Sequence, residues 1–228
     1  RDQRGLRVTG RSRIALRFAV VLPALVLLAA FSTVVRSAPS GVSEQEHALS
    51  GESLTAALKR GGYVIYFRHA DTGPAYLEQG VDLKRCETQR NLNDDGREEA
   101  KLIGAQFRKL KIPVGEVLAS EFCRCRETAD LAFGGYTLEP MLTGVSRSAE
   151  AAPRREQAIA ALKKMLAAMP APGTNTVLVS HGFNLWDAEG FHLGTQGEAA
   201  IYIPDGKGGY ALVARLLPRD WMDLISGP

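Results

Sequence analysis

Four side chains in this sequence are of the right type and spacing for anion chemistry. Arg68-His69 follows the apolar run Tyr63-Val64-Ile65-Tyr66-Phe67, Arg124 comes soon after Val117-Leu118-Ala119-Ser120, and His181 follows Thr176-Val177-Leu178-Val179-Ser180. Each run reads as a short buried strand with turn-formers or a helical pattern after it. In an open α/β sheet, ligands sit outside the carboxyl ends of the strands. Guanidinium groups at such ends grip phosphate by paired hydrogen bonds, and a helix start near Arg124 would add backbone N–H donors. A neutral imidazole is also a competent nucleophile near neutral pH. Thr72, three residues beyond His69, could add a hydroxyl or simply cap a turn. Arg90 could touch a substrate or be a surface charge of its loop. So many donors suit a dianionic phosphoryl group better than a carboxylate.

The elements that must position these groups follow from periodicity and breakers. Leu54 to Lys59 is expected to be helical and closed by Gly61-Gly62, with the first strand at Tyr63 to Phe67. Residues 71–91 read as a long loop, and loops of that length in compact domains are usually functional. Asn93-Asp94-Asp95 caps a helix whose apolar positions are Ala100, Ile103, Phe107 and Leu110. A strand from Glu116 to Ala119, a helix from Phe122 to Phe133 and a short strand at Tyr136 to Leu138 come next. Pro153 opens a helix with Ile159, Leu162, Leu166 and Met169 inward, stopped by Pro170 and Pro172. After the second histidine strand the pattern predicts a short helix around Leu185 to Ala188. A hairpin then joins Ala199–Ile203 to Tyr210–Leu216. The expected fold is a three-layer α/β sandwich with a mostly parallel sheet, helices on both faces and a C-terminal hairpin.

The amino-terminal segment has a different character. Residues 1–36 hold seven arginines and one aspartate, with an apolar stretch from Phe18 to Phe31 and small residues after it. That is the layout of a secretory signal, or of an uncleaved anchor, since residues 18–35 barely reach the length needed to span a bilayer. Residues 37–53 read as a flexible linker, leaving 54–228 as the folded domain. Without the leader the chain has 21 basic and 24 acidic residues, so its formal charge is −3 rather than +3. A nucleic-acid partner is therefore not expected, and a membrane partner only through a retained amino terminus. The expected location is periplasmic or extracellular. In such a compartment Cys86, Cys123 and Cys125 should give one disulfide and one free thiol, with Cys86 paired to either of the others. Three sulfurs without a nearby histidine do not make a metal site, and no cofactor is expected. His47 and His192 read as solvated or satisfied histidines.

Taken together the motifs resemble the histidine phosphatase superfamily, the phosphoglycerate-mutase-like fold. Arg68-His69-Ala70-Asp71-Thr72 is similar to its R-H-G-x-[S/T] signature. The run from Ser120 to Ala129, SEFCRCRETA, is similar to S-P-x-x-R-A-x-x-T-A, and Ser180-His181-Gly182 matches S-H-G. The likeness extends from about Leu54 to the carboxyl terminus. It implies that His69 is phosphorylated and then hydrolysed, while Arg68, Arg124 and His181 hold the transferring group without metal. The sequence departs from the pattern at three places. Ala70 replaces a glycine, which matters only if that position needs positive φ, and Glu121 replaces a proline. The acid that would protonate the leaving group is also missing, since Gly144 or Gly182 stands where members of the family place it. Glu198, before a strand expected beside His181, is the first substitute, with Glu139 and Glu150 behind it. Without such an acid, substrates would be restricted to good leaving groups such as phosphohistidine or acyl phosphate. The expectation is a phosphatase acting on a small phosphorylated molecule. A weakly active phosphate-binding module, a phosphohistidine-specific phosphatase and a mutase are the alternatives.

Overall fold

The computed structural model of the chain describes residues 49–74, 78–144 and 148–224. The basic leader, most of the linker and His47 lie outside the described residues. Helix α1 (Gly51–Arg60) leads into strand β1 (Val64–Arg68), and helix α2 (Asp94–Leu110) into β2 (Val114–Ala119). Helix α3 (Cys123–Phe133) is followed by β3 (Thr137–Leu138), α4 (Ala152–Leu166) and β4 (Asn175–Ser180). Helix α5 (Gly182–Glu189), the hairpin of β5 (Ala199–Pro204) and β6 (Tyr210–Leu216), and a final turn α6 (Asp220–Asp223) complete the domain. Among the described residues, no helix is long and apolar enough to cross a membrane.

The strands form one sheet in the order β3-β2-β4-β1-β5-β6. The first four pair in parallel, and only β5 runs antiparallel to its neighbours. Alternation along the strands splits the core between two faces. Ile65, Phe67, Val177, Val179 and Ile201 pack against α1, α2 and α3, and Val64, Tyr66, Leu178 and Tyr202 against α4 and α5. The three-layer arrangement with a mostly parallel sheet is therefore as expected. Because β4 lies between β1 and β2, Arg68-His69, Ser120 and His181 all emerge at one edge of the sheet.

Local chemistry explains the boundaries. The Asn93 carboxamide oxygen accepts the Gly96 N–H, capping α2 as its sequence predicts. Helix α1 begins three residues earlier than expected, inside the stretch read as linker. There the Ser53 hydroxyl links to both the N–H and the C=O of Ser50. Met169, expected inward, is 60% exposed because α4 ends at Leu166. Helix α6 was not foreseen. It places Trp221, fully buried, against Phe67 and Phe107 with ring centroids 5.7 and 4.8 Å away.

Candidate active site

Arg68, His69, Arg90, Arg124 and His181 line one cavity of about 420 Å³, whose other walls include Phe183, His192 and Leu193. A second cavity of about 360 Å³, between α2 and α6, contains none of these residues. The two imidazole centroids are 5.6 Å apart and nearly edge to face. His69 is 2% exposed, and its Nδ1 lies 2.9 Å from the Ala70 carbonyl oxygen. A carbonyl only accepts, so Nδ1 carries the proton and Nε2 keeps its lone pair. His181 is held by the start of α3. Ser120 Oγ accepts the Phe122 N–H and lies 2.9 Å from His181 Nε2.

Burial, reinforced by the neighbouring guanidinium groups, pushes the His69 imidazole down to about 3 and holds His181 well below its ordinary value. Both rings are neutral in the ligand-free protein at neutral pH. The arginines are fixed from behind. Arg68 Nη1 donates to the carbonyls of Leu193 (3.1 Å) and Gly194 (2.6 Å). Arg124 is 4% exposed and donates through Nη1 to Glu78 Oε1 and the Arg90 carbonyl, each at 3.2 Å. The Nε atoms of both Arg90 and Arg124 are buried without a protein partner. An unmatched buried donor typically costs ~1–3 kcal/mol, which an anion in the cavity would relieve.

Arg90 reaches the cavity because its loop is tied to the start of α3. Cys86 and Cys123 form the disulfide, settling the pairing left open by the sequence, and Cys125 is a buried free thiol. Gln89 Oε1 accepts the Cys123 N–H, and Glu78 Oε1 accepts the Arg90 N–H at 2.7 Å. One of the helix-start donors expected for the ligand is therefore already engaged. Glu78 and Gln89 escaped sequence reasoning, since both lie in a loop without regular pattern and act on residues remote along the chain.

Two expected site residues do not reach the cavity. The Glu198 carboxylate is buried beneath Arg215, accepting from Nε at 3.0 Å, and also accepts the Thr195 N–H. Its strand pairs with β1 rather than with the His181 strand. Thr72 donates its hydroxyl proton to Gln196 Oε1 at 2.6 Å and faces that side chain. Of the other acids, Glu139 accepts the Met141 N–H and Glu150 is exposed. Among the described residues, no carboxylate lines the cavity. Nor is there a group of three or more His, Cys, Asp or Glu placed to hold a metal ion among them. His192, expected to be solvated or satisfied, is exposed and stacked on Trp186, and it also lines the cavity. The alanine at position 70 is tolerated, because Lys111 is the only non-glycine residue with positive φ among those described.

No protein-family model matches the chain, and no curated protein matches it. Solved structures do resemble it. One is the protein histidine phosphatase SixA complexed with tungstate, 20% identical, covering 68% of this chain and 97% of that one with a TM-score of 0.43. Another is a putative phosphohistidine phosphatase SixA from Agrobacterium tumefaciens, at 19% identity, with 69% and 99% coverage and a TM-score of 0.44. A third is a putative alpha-ribazole-5'-P phosphatase from Escherichia coli, at 15% identity, with 69% and 98% coverage and a TM-score of 0.49.

Proposed function

We propose that this chain is a phosphatase that hydrolyses small phosphomonoesters through a phosphohistidine on His69. The observation that carries the reading is one cavity holding a neutral, tautomer-fixed imidazole beside three guanidinium groups and a second imidazole. The phosphoryl group is held by Arg68, Arg90, Arg124 and the His181 imidazole. His69 Nε2 attacks phosphorus, the phosphorus–oxygen ester bond breaks, and the leaving oxygen departs with the electron pair. The positive charge that forms on His69 is eased by its Nδ1–H bond to the Ala70 carbonyl. Water then attacks phosphorus, releasing phosphate and restoring the imidazole. Fixed cations around the transferring group supply electrostatic stabilisation throughout.

Labelling with a radioactive aryl phosphate tests this. We expect an acid-labile phosphoprotein in the wild type, turnover indifferent to EDTA, and a loss of more than ~10⁴-fold in His69→Ala. Persistent turnover in that variant would exclude the phosphohistidine mechanism. The lack of a carboxylate on the cavity wall favours one second reading, a phosphate-binding module. Phosphate binding without turnover of any ester would establish it. The proposal extends to an exported protein, supported by the basic-then-apolar amino terminus and by a disulfide suited to an oxidising compartment. Cell fractionation and amino-terminal sequencing of the mature chain test that part.

A further inference from the structure

The cavity has a second, aromatic side. Phe183 stands two residues past His181 in the first turn of α5. Its ring is 5.4 Å from the His181 ring and within 12° of parallel. The packing depends on Gly144, because a Cβ there would run into Cζ and Cε2 of Phe183. Next to it, His192 stacks on Trp186 at 4.5 Å and 21°. Phe183 and Trp186 remain 37% and 42% exposed, although each could bury a large apolar area. Phe183 thus presents a half-exposed aromatic plane on the wall of a cationic cradle, a surface suited to a ligand ring.

Proton supply points the same way. No carboxylate among the described residues lines the cavity, and both imidazoles are neutral in the free protein. A departing oxygen therefore finds no acid on the cavity wall to protonate it as it leaves. That is severe for an alkoxide, whose conjugate acid is about as weak as water, and far milder for a phenoxide, whose conjugate acid has a pKa of ~10. A volume of about 420 Å³ lies toward the small end of ligand pockets, with room for a phosphoryl group and a single ring.

We infer that the preferred substrates are monophosphates whose ester oxygen is carried directly on a planar aromatic ring, with Phe183 stacking on that ring and His192, backed by Trp186, forming its side wall. This names the substrate class of the phosphatase reading above and rests on it. In the first step the His69 Nε2 lone pair forms the nitrogen–phosphorus bond and the aryl oxygen leaves with the electron pair. In the second, water forms the new phosphorus–oxygen bond and gives its proton to solvent, and the nitrogen–phosphorus pair returns to Nε2.

The test compares phenyl phosphate with hexafluoroisopropyl phosphate, whose leaving groups have similar acidity although only one is a ring. A stacking contact predicts a kcat/KM ratio of about tenfold in favour of the ring in the wild type. Phe183→Leu should bring the ratio close to one, and Phe183→His, which keeps a smaller planar ring, should retain part of it. Gly144→Ala should lower the ratio without altering Phe183 itself, by displacing its ring. A wild-type ratio near one overturns the inference, as does a Phe183→Leu variant that slows both esters equally. Turnover of neither ester, whatever its leaving group, overturns the phosphatase reading and the inference together.

Discussion

Replacing Cys86 and Cys123 by serine together should separate what the disulfide does for stability from what it does for the cavity. The crosslink spans 37 residues, and closing a loop of that length in the unfolded chain is worth about 4 kcal/mol at 25 °C on the chain-entropy account. The midpoint of urea unfolding should fall accordingly, with little change in slope. The functional consequence is carried by Arg90, four residues beyond Cys86. Without the crosslink, its loop is held to α3 by the Gln89–Cys123 bond and the Glu78 bridge, polar contacts with a net worth of ~1 kcal/mol each. Losing the Arg90–phosphoryl contact altogether should cost ~1.5–3 kcal/mol, and looser tethering the lower part of that range, about tenfold in kcat/KM. Cys125 does not complicate the experiment, since burial pushes its thiol up to about 12 and leaves it unreactive. Steady-state kinetics with an aryl phosphate would be measured in wild type, the double serine variant, Arg90→Ala and the triple variant. If the disulfide acts on the cavity through Arg90, its removal costs stability in both backgrounds but activity only when Arg90 is present. Equal losses of activity in the two backgrounds would refute that coupling.

Two further outcomes follow from the site. His69 has a folded pKa of about 3 against an ordinary 6.5, so the unfolded chain takes up its proton first as pH falls. The stability that His69 contributes is complete above pH 6.5 and about 3 kcal/mol smaller at pH 4.5. The difference in unfolding free energy between wild type and His69→Asn at pH 7.5 and 4.5 measures it; no change in that difference would contradict the burial of this imidazole. Taking the difference also removes Glu99, whose carboxyl is raised to about 7 by burial and by Asp71 and titrates in the opposite sense. Glu198→Gln should lower stability by ~1–3 kcal/mol, through its bonds to Arg215 and Thr195, while changing kcat less than about threefold. A steeper dependence of rate on leaving-group acidity in that variant would instead make Glu198 the proton donor.

The parts of the site at or just beyond strand ends were legible because strands advertise themselves by short β-prone runs. Arg68-His69 and His181 stand at the ends of theirs, and Arg124 in the first turn of the helix that follows β2. Arg68, His69, Arg124 and His181 converge for that reason alone, once β4 is inserted between β1 and β2. The parts that depend on side chains meeting across the chain were not legible. Thr72 could serve either a ligand or a turn, and its actual partner, Gln196, is 124 residues away. Glu198 was rightly placed at a strand end, yet its carboxylate is taken by Arg215 on the neighbouring strand. The β5–β6 pairing carries a register shift between Ile201 and Tyr202, and periodicity gives no sign of such a shift. Arg90 was undecidable from sequence because its position is set by a disulfide and by Glu78, neither of which leaves a local pattern.

The missing acid has a structural reason at both places where the family resemblance would put one. A side chain at Gly144 would meet the Phe183 ring, and one at Gly182 would come within 2.9 Å of the Leu193 carbonyl oxygen. That carbonyl also accepts from Arg68, so it cannot move aside without loosening a guanidinium of the phosphoryl cradle. Restoring a carboxylate at either position would therefore disturb a wall of the same cavity it was meant to serve. The two glycines, the Phe183 ring and the Arg68 tether form one packing solution in which an aromatic surface stands in place of a proton donor. An enzyme built this way gains rate from substrates that need no protonation, and the leaving group's own acidity becomes the main determinant of what it hydrolyses.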